Sequence, residues 1–334
     1  MLEDGAAALT LAALVAYAVL GGADFGGGIW DAAAAGPRKR EQREAVAHAM
    51  GPVWEANHVW LIFVVVLLFT AFPAGYAALS MALFVPFHLV LLGIILRGAA
   101  FVFRAYSPES ARTPDPSVQA RRWGALFGVA SVITPVLLGA CLGSVASGAI
   151  RVEAGAVRLE GTPWLAPEAV AIGIFALAVC AYVAAVFLAC ETEGELREDF
   201  RARALWAGTA VVAASALMLP LLALQAEHLW EGLLAPRTLP VLALGVSAAL
   251  ASGWLLRIRR FRAARVAAVL QVACLVAGWG LAQHPYLIFP DLTLPDAAAP
   301  ASTLRFVVFA LPLGLGLVLP SLWLLFRVFK GRVI

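Results

Sequence analysis

The sequence predicts an all-α integral membrane protein with nine transmembrane helices, arranged as two four-helix bundles plus one peripheral helix. Three observations carry this. The 334 residues are 62% hydrophobic and only 13% charged, with a mean hydropathy of +0.89. A soluble domain is about half apolar and about a quarter charged, so this chain has too little polar surface to face water. Apolar runs long enough to cross a hydrocarbon core of about 30 Å recur along the whole sequence. The basic residues between those runs alternate in number from one connection to the next.

The predicted spans lie near residues 6–30, 53–73, 77–103, 122–150, 168–190, 204–225, 238–256, 265–283 and 304–327. Helices are required, because backbone in lipid must satisfy its own hydrogen bonds. Barrel strands would show short alternating patterns instead of continuous apolar runs. The connections after odd-numbered spans hold Arg38, Lys39, Arg40 and Arg43, then Arg104, Arg112, Arg121 and Arg122, then Arg197, Arg201 and Arg203. They continue with Arg257, Arg259, Arg260, Arg262 and Arg265, and the tail has Arg327, Lys330 and Arg332. The opposite side has only Arg151, Arg158, Arg237 and Arg305. Basic residues gather on the cytoplasmic side, which puts the N-terminus outside and the C-terminus inside. Residues 1–150 form the first bundle, 151–166 an external linker, 167–283 the second bundle, and 284–334 an external loop, the ninth helix and a tail.

The start, Met1-Leu2-Glu3-Asp4, is acidic and lacks the basic region and small-residue cleavage site of a secretory signal, so the first helix is expected to stay. Basic residues scattered over several loops exclude a nucleic-acid-binding face. Cys141, Cys180, Cys190 and Cys274 make no C-x-x-C and read as small packing residues.

Ionisable residues inside a span are costly, and each one raises a question of function. Asp24 lies in Gly21-Gly22-Ala23-Asp24-Phe25-Gly26-Gly27-Gly28. Seven residues before Asp31, it sits about 10 Å deep at ~1.5 Å per residue. Tyr17, Asp24 and Asp31 share a face. Gly22 and Gly26 form a small-xxx-small pair that permits close helix approach. Asp24 is either a satisfied residue in a packing seam or a proton carrier. Glu55 follows Gly51-Pro52-Val53-Trp54 near a helix start, where the macrodipole alone would favour a carboxylate. His58 lies on the same face, three residues on. Arg97 is seven residues before Arg104 and at similar depth. Asp24, Glu55 and Arg97 therefore come from three spans at one level. They can be mutual structural partners or a site that holds a proton. The histidines fix no facing pair of the kind that ligates haem.

Several of these segments resemble subunit II of the cytochrome bd oxidase family. They are Gly21–Gly28, the run Gly51-Pro52-Val53-Trp54-Glu55-Ala56-Asn57-His58-Val59-Trp60-Leu61-Ile62, Leu68–Pro73 with Tyr76, and Leu96–Arg104. His284-Pro285-Tyr286-Leu287 and Phe329-Lys330-Gly331-Arg332-Val333 complete the set. The resemblance implies a partner, subunit I, that holds the haem b and haem d groups, while this chain binds no cofactor of its own. It implies a bacterial cytoplasmic membrane and a complex reducing O2 to water with electrons from quinol. It gives this chain a scaffold role and part of a cytoplasmic proton path through Asp24 and Glu55, with Arg97 as charge partner. Membrane lipid, a structural quinone and a small single-helix accessory subunit are further partners it leaves room for. The family often has Asp where Glu55 stands, Gln or Glu where His58 stands, and another acid where Gly21 stands. A proton-coupled secondary transporter would show an inverted repeat, and none is visible. A self-contained b-type cytochrome would need facing histidines.

Reporter fusions at Arg40, Pro114, Arg197 and Arg260 are expected to read cytoplasmic, and fusions at Gly155 or Ala298 external. One fusion on the wrong side breaks the alternation.

Overall fold

The computed structural model describes residues 1–50, 54–105, 118–153 and 155–329. The side chains of 54–56, 104–105, 118–120, 326 and 329 lie outside the described set. The chain opens with α1 (Leu2–Ala32), an amphipathic α2 (Lys39–Met50) and α3 (Trp54–Ala71). Next come α4 (Pro73–Ala82), α5 (Phe84–Ala105) and α6 (Val118–Ala146). A hairpin of β1 (Ile150–Glu153) and β2 (Ala156–Leu159) leads to α7 (Pro167–Glu191), α8 (Gly194–Gln225) and the short α9 (Glu227–Leu234). The remainder is α10 (Leu239–Arg257), α11 (Phe261–Gln283), β3 (Tyr286–Ile288), β4 (Leu292–Thr293), α12 (Leu294–Ala297) and α13 (Ala301–Phe329).

Among the described residues, eight helices are long and apolar enough to cross a membrane: α1, α5, α6, α7, α8, α10, α11 and α13. The apolar part of α3, Asn57–Ala71, is shorter. With α3 the arrangement is compatible with nine passes. The predicted third span at 77–103 is divided. Pro73 starts α4, whose last carbonyls are capped at Leu83, and the long α5 begins only at Phe84. Proline suits a first helical turn and cannot continue the helix before it. In contrast, α8 starts ten residues ahead of the expected 204, so Arg197, Arg201 and Arg203 are helical. The external linker is also more ordered than its composition suggests. Its hairpin turns at Gly155 (φ +81°), a left-handed position that glycine occupies without strain.

The helices expected as two bundles, α1 with α3, α5 and α6, and α7 with α8, α10 and α11, pack on one another through α6 and α7 as well as through α1. They are not separate bodies. Helix α1 packs on α3 and α6 of its own group and on α7 and α11 of the other. Helix α13 is peripheral, touching α1 and α3, with 6% of its apolar window buried within the chain.

Polar clasps tie the ends. On the side of α2, the Arg38 guanidinium donates to both Asp199 oxygens at 2.8 and 2.6 Å and also pairs with Glu195. At the other end, Arg151 makes a forked pair with Asp291 at 2.7 and 2.9 Å. The Val152 amide adds a third bond to that carboxylate at 2.9 Å. The Arg151 pair holds the Asp291 carboxyl below the usual carboxylate range. Inside, the Tyr182 hydroxyl donates to Ser252 at 2.6 Å, and Ser252 donates to the Ala264 carbonyl at 3.0 Å, joining α7, α10 and α11. All four cysteines are free and buried.

The Gly22/Gly26 pair does form a seam, against α7. A Cβ at Gly26 would stand 2.0 Å from the Cys180 carbonyl oxygen, whereas one at Gly22 would sit 3.5 Å from the Cys180 sulfur. Gly26→Val is therefore expected to cost about 1–3 kcal/mol by overpacking against backbone. Gly22→Ala should stay within about 0.5 kcal/mol. Thermal unfolding of the detergent-solubilised protein measures both, and equal midpoints would show that the seam does not depend on Gly26.

Candidate functional site: a buried charged cluster where α1, α3, α5 and α6 meet

The glycines of α1 are directed to different neighbours. A Cβ at Gly28 would meet the Ser131 hydroxyl of α6 at 2.0 Å, and one at Gly27 would meet Met50 of α2 at 2.5 Å. On α5, a Cβ at Gly93 would meet Thr134 of α6 at 2.2 Å. These absences of side chain draw α1, α5 and α6 together one turn from Asp24 and Arg97. The polar groups of those helices then share one small volume.

Asp24 and Arg97 are both enclosed, at 3% and 2% exposure. Arg97 is a full-length cation inside an apolar bundle, and its donors are used separately. Nε donates to Ser131 Oγ at 3.1 Å, Nη2 to the Asp24 carbonyl at 2.5 Å, and Nη1 faces His58 Nε2 at 3.3 Å. The guanidinium carbon lies over the Phe25 and Phe127 rings, with centroids at 5.0 and 5.2 Å. A desolvated cation over aromatic faces gains on the order of 2 kcal/mol at such a site. Ser131 is itself anchored, donating to the Phe127 carbonyl at 2.7 Å. Pro135 four residues on has no N–H, so the helix offers the Ser131 carbonyl no donor at that step.

The Asp24 carboxylate accepts from Asn57 Nδ2 at 3.0 Å, and Asn57 is buried at 4% exposure. The hydrogen bond between Arg97 and Asp24 is made to backbone, not to the carboxylate. Among the described residues, the acid is thus bonded by a neutral amide with a buried cation close by. A carboxyl bonded in this way can exist in either protonation state. As a carboxylate it accepts the amide N–H, and as an acid it keeps a second oxygen for that bond.

The structure brings together Asp24, Arg97 and His58. Tyr17 joins them, its ring 5.9 Å from that of His58, and Phe25 lies edge-on at 5.6 Å. Tyr17, Asp24 and Asp31 are all buried, as their common face requires. The Glu55 side chain lies outside the described residues. Its backbone is in the first turn of α3, two residues before Asn57. The sequence reading passed over Asn57 and Ser131. Asn57 was detectable, as an amide in a run that enters an apolar span. Ser131 was not, because a serine in a transmembrane helix ordinarily bonds its own backbone.

The remaining histidines lie apart. His48 is exposed on α2, and His88 is exposed with Nδ1 at 2.7 Å from the Phe84 carbonyl. His228 stacks on Phe289 with centroids 4.1 Å apart, and His284 is 3.4 Å from Asp4. Among the described residues, no group of three or more His, Cys, Asp or Glu side chains is placed to hold a metal ion.

Taken together, the molecule is a multi-pass helical membrane protein with a buried acid, amide and cation at the crossing of its first helices. A family profile for cytochrome bd terminal oxidase subunit II matches residues 2–329. The chain belongs to that family. It is similar to cytochrome bd ubiquinol oxidase subunit 2 of Bacillus subtilis (strain 168), 27% identical over 161 residues, which cover 48% of this chain and 45% of the relative. It also resembles cytochrome bd-I ubiquinol oxidase subunit 2 of Escherichia coli (strain K12), 28% identical over 195 residues, covering 57% and 49% respectively. The matched region thus spans about half the length of these relatives. The fold is that of a chain in the bd oxidase from Geobacillus thermodenitrificans, with a TM-score of 0.83 over 99% of both chains at 23% identity.

Ser131→Ala is expected to destabilise the protein by about 1–3 kcal/mol, because it leaves a buried charged donor of Arg97 without its acceptor. Thermal unfolding in detergent checks this. A variant as stable as wild type would mean that Arg97 does not depend on Ser131.

Proposed function

We propose that this chain is the haem-free subunit II of a cytochrome bd-type complex that reduces O2 to water with electrons from quinol. In this reading it is a scaffold for subunit I, which holds haem b and haem d, and it supplies part of the proton path from the cytoplasm. The N-terminus is external and the C-terminus cytoplasmic, as the distribution of basic residues indicates. Family membership supports the assignment to a quinol oxidase. The scaffold reading draws on the histidines, of which His58, His88, His228 and His284 each face a different neighbour in the fold.

One observation carries the proton path. The buried Asp24 carboxylate is bonded by Asn57 at 3.0 Å, next to the Arg97 guanidinium, on the helix that joins both bundles. Asp24 takes up and releases the proton. The Asn57 N–H stabilises the carboxylate after release, and Arg97 lowers the cost of a buried negative charge. Glu55, in the first turn of α3, passes protons toward Asp24 from the cytoplasmic side.

The test is oxygen consumption per haem in the assembled complex. A relay side chain must titrate, and an amide of the same size does not. Asp24→Asn and Glu55→Gln are each expected to slow turnover by about tenfold or more with the partner's haems still present and reducible. Glu55→Asp, which keeps a carboxyl, should retain much of the activity. If both amide variants run at the wild-type rate per haem, the assignment is wrong.

A further inference from the structure

The contact between Arg97 and His58 admits one proton arrangement. A guanidinium has five N–H donors and no acceptor. His58 Nε2, 3.3 Å from Arg97 Nη1, must therefore present its lone pair. A proton on Nε2 would set one N–H against another. A second proton on the ring would also set two positive charges side by side in a low-dielectric interior. The imidazole is consequently neutral, with its hydrogen on Nδ1.

The surroundings explain why the guanidinium cannot turn away. It is planar, and two of its corners are fixed, Nε by Ser131 of α6 and Nη2 by the Asp24 carbonyl of α1. The remaining corner must project toward α3, where His58 stands between the rings of Tyr17 and Phe25. Among the described residues, the titratable groups packed about the imidazole are Arg97, Tyr17 and, across Asn57, Asp24, and Glu55 stands three residues earlier on α3. Without His58, a donor of a buried cation would lose its acceptor, and two bonds in place of three would hold the guanidinium against the Asp24 carbonyl.

We propose that His58 is a positioning residue and not a proton carrier: a neutral imidazole, protonated on Nδ1, that accepts from Arg97 and so holds the guanidinium against Asp24. The effect on turnover rests on the proton-path reading above, whereas the protonation state does not.

The experiment has two arms, both on the assembled complex. Nitrogen-15 NMR of histidine-labelled complex at neutral pH is expected to show one imidazole with a protonated Nδ1 and a bare Nε2 that disappears in His58→Gln. A His58 signal protonated on Nε2, or on both nitrogens, overturns the proposal. In the second arm, His58→Leu removes the acceptor and is expected to lower turnover per haem by about tenfold, the scale of one lost hydrogen bond to a buried charge. His58→Gln supplies a carbonyl acceptor without a titrating group and should restore most of that loss. If His58→Gln is as slow as His58→Leu, the imidazole is needed for more than acceptance and the proposal fails. If Asp24→Asn and Glu55→Gln are not slowed, the proton-path reading fails, and the NMR arm still decides the state of His58.

Discussion

A guanidinium buried in an apolar helix bundle must find an acceptor for each donor it cannot hide, and Arg97 imposes that demand on three neighbouring helices. Stripped of water, an isolated ion costs several kcal/mol even after relaxation. The cost is met by spreading the donors over Ser131 on α6, the Asp24 carbonyl on α1 and His58 on α3. The guanidinium carbon also lies over the rings of Phe25 and Phe127. None of these partners can move far without exposing a donor. The register of α1 against α5 and α6 is thereby tied to one side chain.

The glycines serve the same end by different means. Large side chains on α1 would hold the helices apart and place the Arg97 donors beyond reach. At Gly28 the limit is Ser131 itself, so the residue that admits the helix is opposite the residue that accepts from Arg97. Gly26 does the corresponding service toward α7, where the Cys180 backbone comes within 2.0 Å of a Cβ position. Helix α1 can therefore belong to both groups of helices. Its burial on two sides places Asp24 in the interior of the chain rather than against lipid.

Much of this was legible in the sequence. Length, hydropathy and the placement of arginines predict the helical class and the approximate spans, because a bilayer leaves few alternatives. Asp24 and Arg97 stand out as charges in apolar runs, and their common depth follows from counting residues. What the sequence does not give is the direction of each bond. A simple ion pair between Asp24 and Arg97 is the natural reading of the sequence, yet the guanidinium reaches the Asp24 backbone and the carboxylate reaches Asn57. Such details depend on helix rotation, which hydropathy leaves undetermined. The division of the third span at Leu83 and the early start of α8 were missed for a related reason. Proline and mixed polar residues occur both in loops and at helix ends, and only packing against neighbours separates the two.

Helix α13 lies at the edge of the helical core, against α1 and α3. With 6% of its apolar window buried within the chain, it contributes little shape complementarity to the rest of the molecule. Pro312 and Pro320, both inside it, mark a helix whose straightness is not required by a tightly fitted neighbour in this chain. A large apolar residue in α13 meets few neighbours within the chain, while in α1 a single methyl group at Gly26 is resisted by backbone. Packing within the chain is thus unequally demanding, loose at α13 and strict at α1.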